Sequence, residues 1–408
     1  MNVLQLCLRI PVASSDGGSI AMMRMQDALL QNGIKLKVLA FNTHKHYIEP
    51  GNIDEAYRER TGLQHIYLDN RIRPWAALVN LFSGDSYNVV RFIRRDFDDA
   101  LRGILEKGTY DVVLLESLFM APYIDTIRRL SGARVILRAH NVEHLIWQRL
   151  AATERNPVRR WYLRLLARRL QVFERAVFQS VDAMVTVSHE DKALIQAINP
   201  LKPVHVAPIG FDAGDYDCGL EPDPSAVFHL GAMDWIPNQE GVEWLIEKVW
   251  PLVTDGFPQA KLYLAGRRMP DSIRRRSSDS VVVEDYVKDA KEYMSRFGIM
   301  VVPLHSGGGM RVKIIEGMLM KKAIVSTGIG AEGIKVTDGC DILLADTPDT
   351  FAAAILRLLK DKSLQAEMGR NARVFAEKEY DNRKIGEELV RFFNRGLTSS
   401  HEVEKQNS

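Results

Sequence analysis

Only three cysteines, Cys7, Cys218 and Cys340, occur in 408 residues, far apart and with no C-x-x-C pair among them. This excludes a disulfide framework and a cysteine-rich metal module, and it fits a reduced, cytoplasmic setting. No uninterrupted apolar run approaches the roughly 20 residues needed to cross a bilayer. Met1 to Ile10 lacks a basic leader and a small-residue cleavage site, so it reads as a strand rather than a signal peptide. One-sided charge is also missing: 54 Lys+Arg stand against 52 Asp+Glu, a net of +2. Bulk nucleic-acid binding, which rests on a large basic excess, is thereby excluded. What remains is an ordinary folded composition, 46% hydrophobic and 26% charged, in a chain long enough for two to three domains of roughly 150 residues.

The apolar pattern resolves into β-α units. Val3 to Leu8 reads as a strand, and Ser14-Ser15-Asp16-Gly17-Gly18 as a glycine loop. A helix from Ser19 follows, with Met22, Met25 and Leu29 on one face, and then a strand over Lys35 to Phe41. Further short buried strands are expected at Val112 to Leu115, Arg134 to Ala139 and Ala183 to Val187, each near a helical stretch. The first 207 residues therefore read as a doubly wound α/β domain. Pro208, Gly210, Gly214, Gly219, Pro222 and Pro224 crowd the next stretch, which reads as a linker over 208–225.

The alternation restarts at Val227 to Gly231. A helix is expected over Glu240 to Val249. Strands are expected at Lys261 to Ala265, Val281 to Val283, Ile299 to Pro303, Ala323 to Ser326 and Ile342 to Ala345. Helices over Arg311 to Met320 and Thr350 to Lys360 complete a second α/β domain, 226–380. A last helix lies within 381–396, and the polar tail 399–408 reads as disordered.

Chemistry concentrates in Gly307-Gly308-Gly309-Met310-Arg311-Val312-Lys313-Ile314-Ile315-Glu316. The glycines admit a ligand close to the backbone, and the following helix start offers unpaired N–H groups and a positive dipole end. Arg311 and Lys313 add formal charge. Together these describe a diphosphate site that needs no bound metal, with Glu316 placed to accept hydrogen bonds from a ribose diol. The bland alternative is a plain turn before a solvated helix, and the ligand reading explains more of these residues.

This segment resembles the donor-binding segment of GT-B glycosyltransferases of the retaining family 4 type, which carries a Glu-x7-Glu signature. Glu316 matches the second Glu, and Gly308 stands where the first would fall. The resemblance extends along the chain. Leu230 to Asn238 is similar to the opening of that family's C-terminal domain, and Leu264-Ala265-Gly266-Arg267 to its strand-end glycine loop near the nucleotide. Tyr286-Val287-Lys288-Asp289 resembles the loop whose backbone contacts the base, and Pro208 to Asp212 the interdomain turn. Gly17 and Gly18 match the glycine loop of the N-terminal domain.

The resemblance implies a GT-B fold, two Rossmann-like domains facing across a cleft, with the C-terminal helix packing back on the first. It implies retaining transfer from a nucleotide-diphosphate sugar to a glycan or lipid-linked acceptor, in surface polysaccharide or lipopolysaccharide biosynthesis, with no cofactor. In it, Arg311 and Lys313 stabilise the leaving diphosphate and His140, in Arg138-Ala139-His140-Asn141-Val142-Glu143-His144, contacts the transferred sugar. Gly17, Gly18, Gly266, Arg267, Val287, Gly307, Gly308, Gly309, Met310 and Glu316 bind the donor. No Asp-x-Asp string directly follows an expected strand, so metal independence is expected. An NDP-sugar 2-epimerase and a non-catalytic sugar-nucleotide sensor are the alternatives.

Two motifs are decoys. His140 to His144 spells the H-x-x-E-H of a zinc-peptidase class, but His140 follows a β-rich run rather than sitting on a helix, so His144 reads as structural. Gly328 to Gly333 spells G-x-G-x-x-G yet opens no substantial helix, which removes a nicotinamide cofactor; the resemblance implies instead a loop below the donor pocket, with Glu332 as a contact. Finally, seven Arg stand against Glu174 alone between Arg155 and Arg175, interleaved with Trp161, Tyr162, Leu165, Leu166, Leu170 and Phe173. Arg160, Arg164 and Arg168 share a helical face, and Trp75, Leu78, Leu81 and Phe82 lie upstream. This pattern fits a basic amphipathic helix resting on an anionic membrane, or equally a packed helix with a solvated Arg face.

Overall fold

The computed structural model describes residues 1–12, 17–71, 75, 79–217, 219, 221–307 and 310–395. Ser14, Ser15, Asp16, Leu78, Gly308, Gly309 and the tail 399–408 lie outside the described residues. The chain forms two compact units: Met1–Gly210 with the segment from Asn382, and Phe211–Asp381.

The first unit is built on seven parallel strands in the order β3-β2-β1-β4-β5-β6-β7. They are β1 Asn2–Cys7, β2 Lys35–Thr43, β3 Gln64–Leu68, β4 Val112–Leu115, β5 Arg134–Ala139, β6 Ala183–Thr186 and β7 Val204–Val206. Sequence hydrophobicity explains the centre: all four residues of β4 are buried, as a parallel strand covered on both faces requires. Side chains alternate between the faces. Leu4 and Leu6 join Phe41, Phe97 and Leu101 on one side, while Val3 and Cys7 join Met22, Met25 and Leu29 on the other. The helix Asn382–Asn394 closes that second face, burying Ile385, Leu389 and Phe393. Arg134 Nη1 donates to the Phe393 carbonyl at 2.7 Å.

The second unit holds six parallel strands in the order β10-β9-β8-β11-β12-β13. These are β8 Asp223–Leu230, β9 Lys261–Ala265, β10 Val281–Glu284, β11 Phe297–Val302, β12 Ala323–Ser326 and β13 Leu343–Leu344. β8 starts inside the stretch expected to be linker. Asp223 pairs with Phe297 and its N–H reaches the Arg296 carbonyl at 2.9 Å, so the ladder holds Asp223 and Pro224 despite their loop-like composition. The helix expected over 240–249 starts earlier, as Ile236–Trp244 with Pro237 in its first turn, and continues as a π-helical turn over Leu245–Val249. Pro251, which lacks an N–H, opens the next segment, Trp250–Gly256, and the wider turn falls where the α-helical ladder loses that donor.

Both sheets reverse their winding direction once, between β1 and β4 and between β8 and β11. In open α/β sheets, ligands bind outside the carboxyl ends of the strands at such points.

Candidate functional site

In the second unit, β8 ends at Leu230 and β11 at Val302, and the chain beyond each carries the sequence motifs. The helix expected from Arg311 begins at Val312 instead. Arg311 takes an extended conformation at the N-cap position of Val312–Leu319, and no side chain among the described residues caps the helix. Its leading N–H groups are thus available to an anion.

Gly307 precedes this turn with φ of 105°, and a Cβ there would stand 2.6 Å from the Trp235 ring. Only glycine fits. Trp235, from the loop after β8, also lies beneath the Arg311 guanidinium, 4.8 Å from ring centroid to the guanidinium carbon. Burial pushes the Arg311 pKa below its ordinary value, partly offset by the Glu332 carboxylate. One turn on, Lys313 Nζ pairs with Glu316 Oε2 at 2.9 Å, and the Tyr216 hydroxyl donates to Glu316 Oε1 at 3.4 Å. Glu316 is 12% exposed, at the edge of the site rather than in open solvent.

The neighbouring strand ends are drawn in tightly. A Cβ on Gly266 would stand 1.7 Å from the Gly231 carbonyl oxygen, so the chains after β8 and β9 touch backbone to backbone. The Gly266 N–H donates to the Asp285 carbonyl at 3.0 Å, adding the loop after β10, where Val287 is half-buried and Tyr286 exposed. Arg267 Nε contacts Asp234 Oδ1 at 3.4 Å, which holds it toward the β8 loop. Gly307, Met310, Arg311, Lys313 and Glu316 therefore share one loop and helix, while Gly266, Arg267 and Val287 line the adjacent strand ends.

In the first unit, Gly17 and Gly18 open the helix Gly17–Gln31, and Glu116 and His140 follow β4 and β5. His140 Nε2 lies 2.9 Å from Glu116 Oε2. Glu116 is fully buried and also receives Arg138 Nη1 at 3.0 Å and Gln5 Nε2 at 2.7 Å. Burial would raise its pKa, but Arg138, His140 and Gln5 outweigh burial and hold the carboxyl below its ordinary value. Burial lowers the His140 pKa, aided by Arg138 and opposed by Glu116. Arg138 Nη1 reaches the Ala21 carbonyl at 3.0 Å as well, tying the first helix to this cluster.

The H-x-x-E-H string does not converge. His144 Nδ1 bonds Glu174 instead, and Glu174 also accepts the Glu143 N–H at 2.8 Å. Among the described residues no group of three or more His, Cys, Asp or Glu is placed to hold a metal ion. Two Asp-x-Asp strings do occur, but Asp96 and Asp98 pair with Arg94 and Arg102, and Asp217 with Arg373. Glu116, Glu174, Trp235 and Tyr216 escape a reading of the sequence. For Glu116 one signal exists: a carboxylate set directly after the buried run Val112–Leu115.

Two doubly wound parallel units of this kind make up the GT-B fold. Residues 224–361, within the second unit, match the family model of the group 1 glycosyl transferases. Over 390 residues, 92% of this chain and 95% of the relative, it is 22% identical to an uncharacterized 44.6 kDa protein in the cps region of Klebsiella pneumoniae. Among solved structures, HepE of Anabaena in complex with UDP superposes with a TM-score of 0.67 at 13% identity, over 97% of this chain and 100% of HepE. WaaG, a glycosyltransferase involved in lipopolysaccharide biosynthesis, superposes at 0.63 with 14% identity, over 95% and 98% of the two chains. At these identities the structural likeness is one of fold.

Proposed function

We propose that this protein is a metal-independent, retaining glycosyltransferase that moves a sugar from a nucleotide-diphosphate sugar to a glycan or lipid-linked acceptor in surface polysaccharide or lipopolysaccharide assembly. The observation that carries this reading is the uncapped helix start at Val312, with Gly307 before it and Arg311, Lys313 and Glu316 around it. The diphosphate lies against the first N–H groups of that helix. Lys313 leaves Glu316 for the diphosphate, and Glu316 then takes the ribose hydroxyls.

The bond from the anomeric carbon to the diphosphate oxygen breaks, and negative charge grows on the leaving group. Fixed donors aimed at that charge lower the barrier. The acceptor hydroxyl attacks the same face of the sugar, and its proton passes to the departing phosphate oxygen. His140 orients the sugar. The UDP in the HepE structure and the process named for WaaG support the donor class and the pathway class.

The face of the helix Pro157–Ser180 that carries Val158, Trp161, Arg164, Arg168 and Val172 is exposed. A groove of about 260 Å³ beside it is lined by Arg164, Arg168, Gln148 and Gln171. Arg169 holds the Asn80 and Leu81 carbonyls at 2.8 and 2.9 Å, which places Phe82, 90% exposed, next to this helix. Aromatic rings among arginines suit an anionic lipid surface, and peripheral contact with the inner membrane leaflet is part of the proposal. No helix among the described residues is long and apolar enough to cross a membrane.

The test is product analysis with UDP-, GDP- and ADP-sugars in EDTA, using a lipid-linked glycan fraction as acceptor. Nucleoside diphosphate release with a glycosylated product of retained anomeric configuration supports the reading. Inverted product, dependence on added Mg²⁺, or free nucleoside diphosphate with an isomerised sugar contradicts it.

A further inference from the structure

We propose that Glu116 and Arg138 are positioning residues that fix His140 as the Nε2-protonated tautomer, so that its bare Nδ1 accepts a hydrogen bond from a hydroxyl of the bound sugar. This rests on the reading that His140 faces the transferred sugar; the fixing of the ring itself does not.

The argument begins at the buried end of a directed hydrogen-bond chain. The Tyr57 hydroxyl donates to Gln26 Oε1 at 2.7 Å, Gln26 Nε2 to Gln5 Oε1 at 2.7 Å, and Gln5 Nε2 to Glu116 Oε1 at 2.7 Å. Reversing the chain would aim the Gln5 carbonyl oxygen at the Glu116 carboxyl. Arg138 fixes the direction. Its side chain is 1% exposed and it donates to both Glu116 oxygens, at 3.4 and 3.0 Å. A guanidinium so deeply buried needs its counter-charge, because stripping one partner from a buried pair leaves an uncompensated buried charge. Glu116 is therefore an anion, and an anionic carboxylate only accepts.

Every group against Glu116 must then donate. Gln5 and Arg138 do, and His140 Nε2, 2.9 Å from Oε2, must carry its proton toward the carboxylate. A second proton on the ring is disfavoured by burial, with Arg138 and Arg9 adding to that effect against Glu116. The neutral ring keeps a lone pair on Nδ1, and no described residue hydrogen-bonds that atom. The His140 side chain is 21% exposed, enough for one ligand atom. Such a nitrogen takes an O–H donor and rejects a phosphate or carboxylate oxygen, which has no proton to give. His140 thereby discriminates the hydroxylated sugar from the diphosphate that follows it in the donor.

The arrangement resembles the carboxylate that holds a catalytic imidazole in one tautomer in serine hydrolases, where losing the charge misplaces the proton. Glu116 acts through His140 and touches no substrate itself.

The test is a long-range ¹H–¹⁵N correlation spectrum of the full-length chain labelled at histidine, with His140→Asn used to assign the ring. In the wild type at neutral pH, Nε2 is expected as the protonated nitrogen and Nδ1 as the bare one, by at least about ten to one, the ratio set by roughly 1.4 kcal/mol. In Glu116→Gln, the amide oriented by Gln5 turns its NH₂ toward Nε2, and the proton is expected to move to Nδ1. Because that variant strands the Arg138 charge and can unfold, Glu116→Gln/Arg138→Met, which removes both charges, is measured beside it and is expected to show the same reversal. Mixed tautomers in the wild type, or an unchanged tautomer in a folded variant, overturn the inference. A ring fixed as described in a chain that turns over no nucleotide sugar refutes the transferase reading and leaves the role of Glu116 standing.

Discussion

The guanidinium carbon of Arg311 stands 4.8 Å from the centroid of the Trp235 ring, so a residue after β8 holds the charge that follows β11. Partly buried cation–π contacts contribute about 1 kcal/mol. If the proposed donor site holds, Trp235→Leu is therefore expected to weaken nucleoside diphosphate binding by about fivefold. Trp235→Phe, which keeps a π face, should lose about half of that energy or less. Calorimetric titration checks both, and equal losses in Leu and Phe would show that the ring serves as packing alone.

Gly266 has no room for a side chain, since a Cβ would stand 1.7 Å from the Gly231 carbonyl oxygen. Gly266→Ala must push apart the chains after β8 and β9, and overpacking against backbone costs at least about 2 kcal/mol. A fall in the melting temperature of the second unit, accompanied by weaker donor binding, is expected. Unchanged melting would mean that the strand ends separate freely.

Burial, with the Glu174 carboxylate beside it, pushes the Glu143 carboxyl up to about 7 from an ordinary 4.5. A raised carboxyl favours folding in its protonated form. Its contribution is present in full below the unfolded value of 4.5 and is lost as pH rises through about 7. Glu143→Gln removes that dependence. The variant should match the wild type at the acid end of this window and exceed it by up to about 3 kcal/mol near about pH 8. Denaturant melts of both proteins at the two ends check this, and parallel pH profiles would contradict it.

The exposed Arg164 and Arg168 follow Trp161, which is 58% exposed, along the same helix face. Each basic residue near an anionic surface contributes about 1 kcal/mol. Arg164→Glu/Arg168→Glu should abolish co-sedimentation with phosphatidylglycerol-containing vesicles and leave the proposed donor site's response to nucleotides unchanged. Failure of the wild type to sediment with such vesicles would remove the membrane contact from the proposal.

Much of this fold is legible in the amino-acid sequence, and the exceptions share a physical cause. Val112–Leu115 and Ala323–Ser326 announce themselves because a buried parallel strand is a short, nearly continuous apolar run. β3 and β7 do not. Gln64–Leu68 buries only Leu68, and Val204–Val206 only Val204, since edge strands owe their place to one neighbour rather than to hydrophobicity. The loop from Gly307 to Glu316 is legible because its chemistry is local, with glycine, cation and carboxylate within ten residues. Glu116 is not legible as a partner of His140. Gln5 lies inside β1, Glu116 and His140 directly follow β4 and β5, and only the pairing of these three strands brings them together. Trp235 and Arg311 meet for the same kind of reason, across the β8–β11 pair.

The most direct test of the donor site is a thermal-shift comparison of wild type and Glu316→Ala with UDP, GDP, ADP and CMP, each in EDTA. A ligand at a hundredfold excess over its dissociation constant stabilises the folded protein by about 2.7 kcal/mol. A clear upward shift with one nucleotide in the wild type, absent from Glu316→Ala, is the predicted result and identifies the base. No shift with any of them, or an equal shift in Glu316→Ala, would contradict the assignment of Val312–Leu319 and its preceding loop as the place where the donor binds.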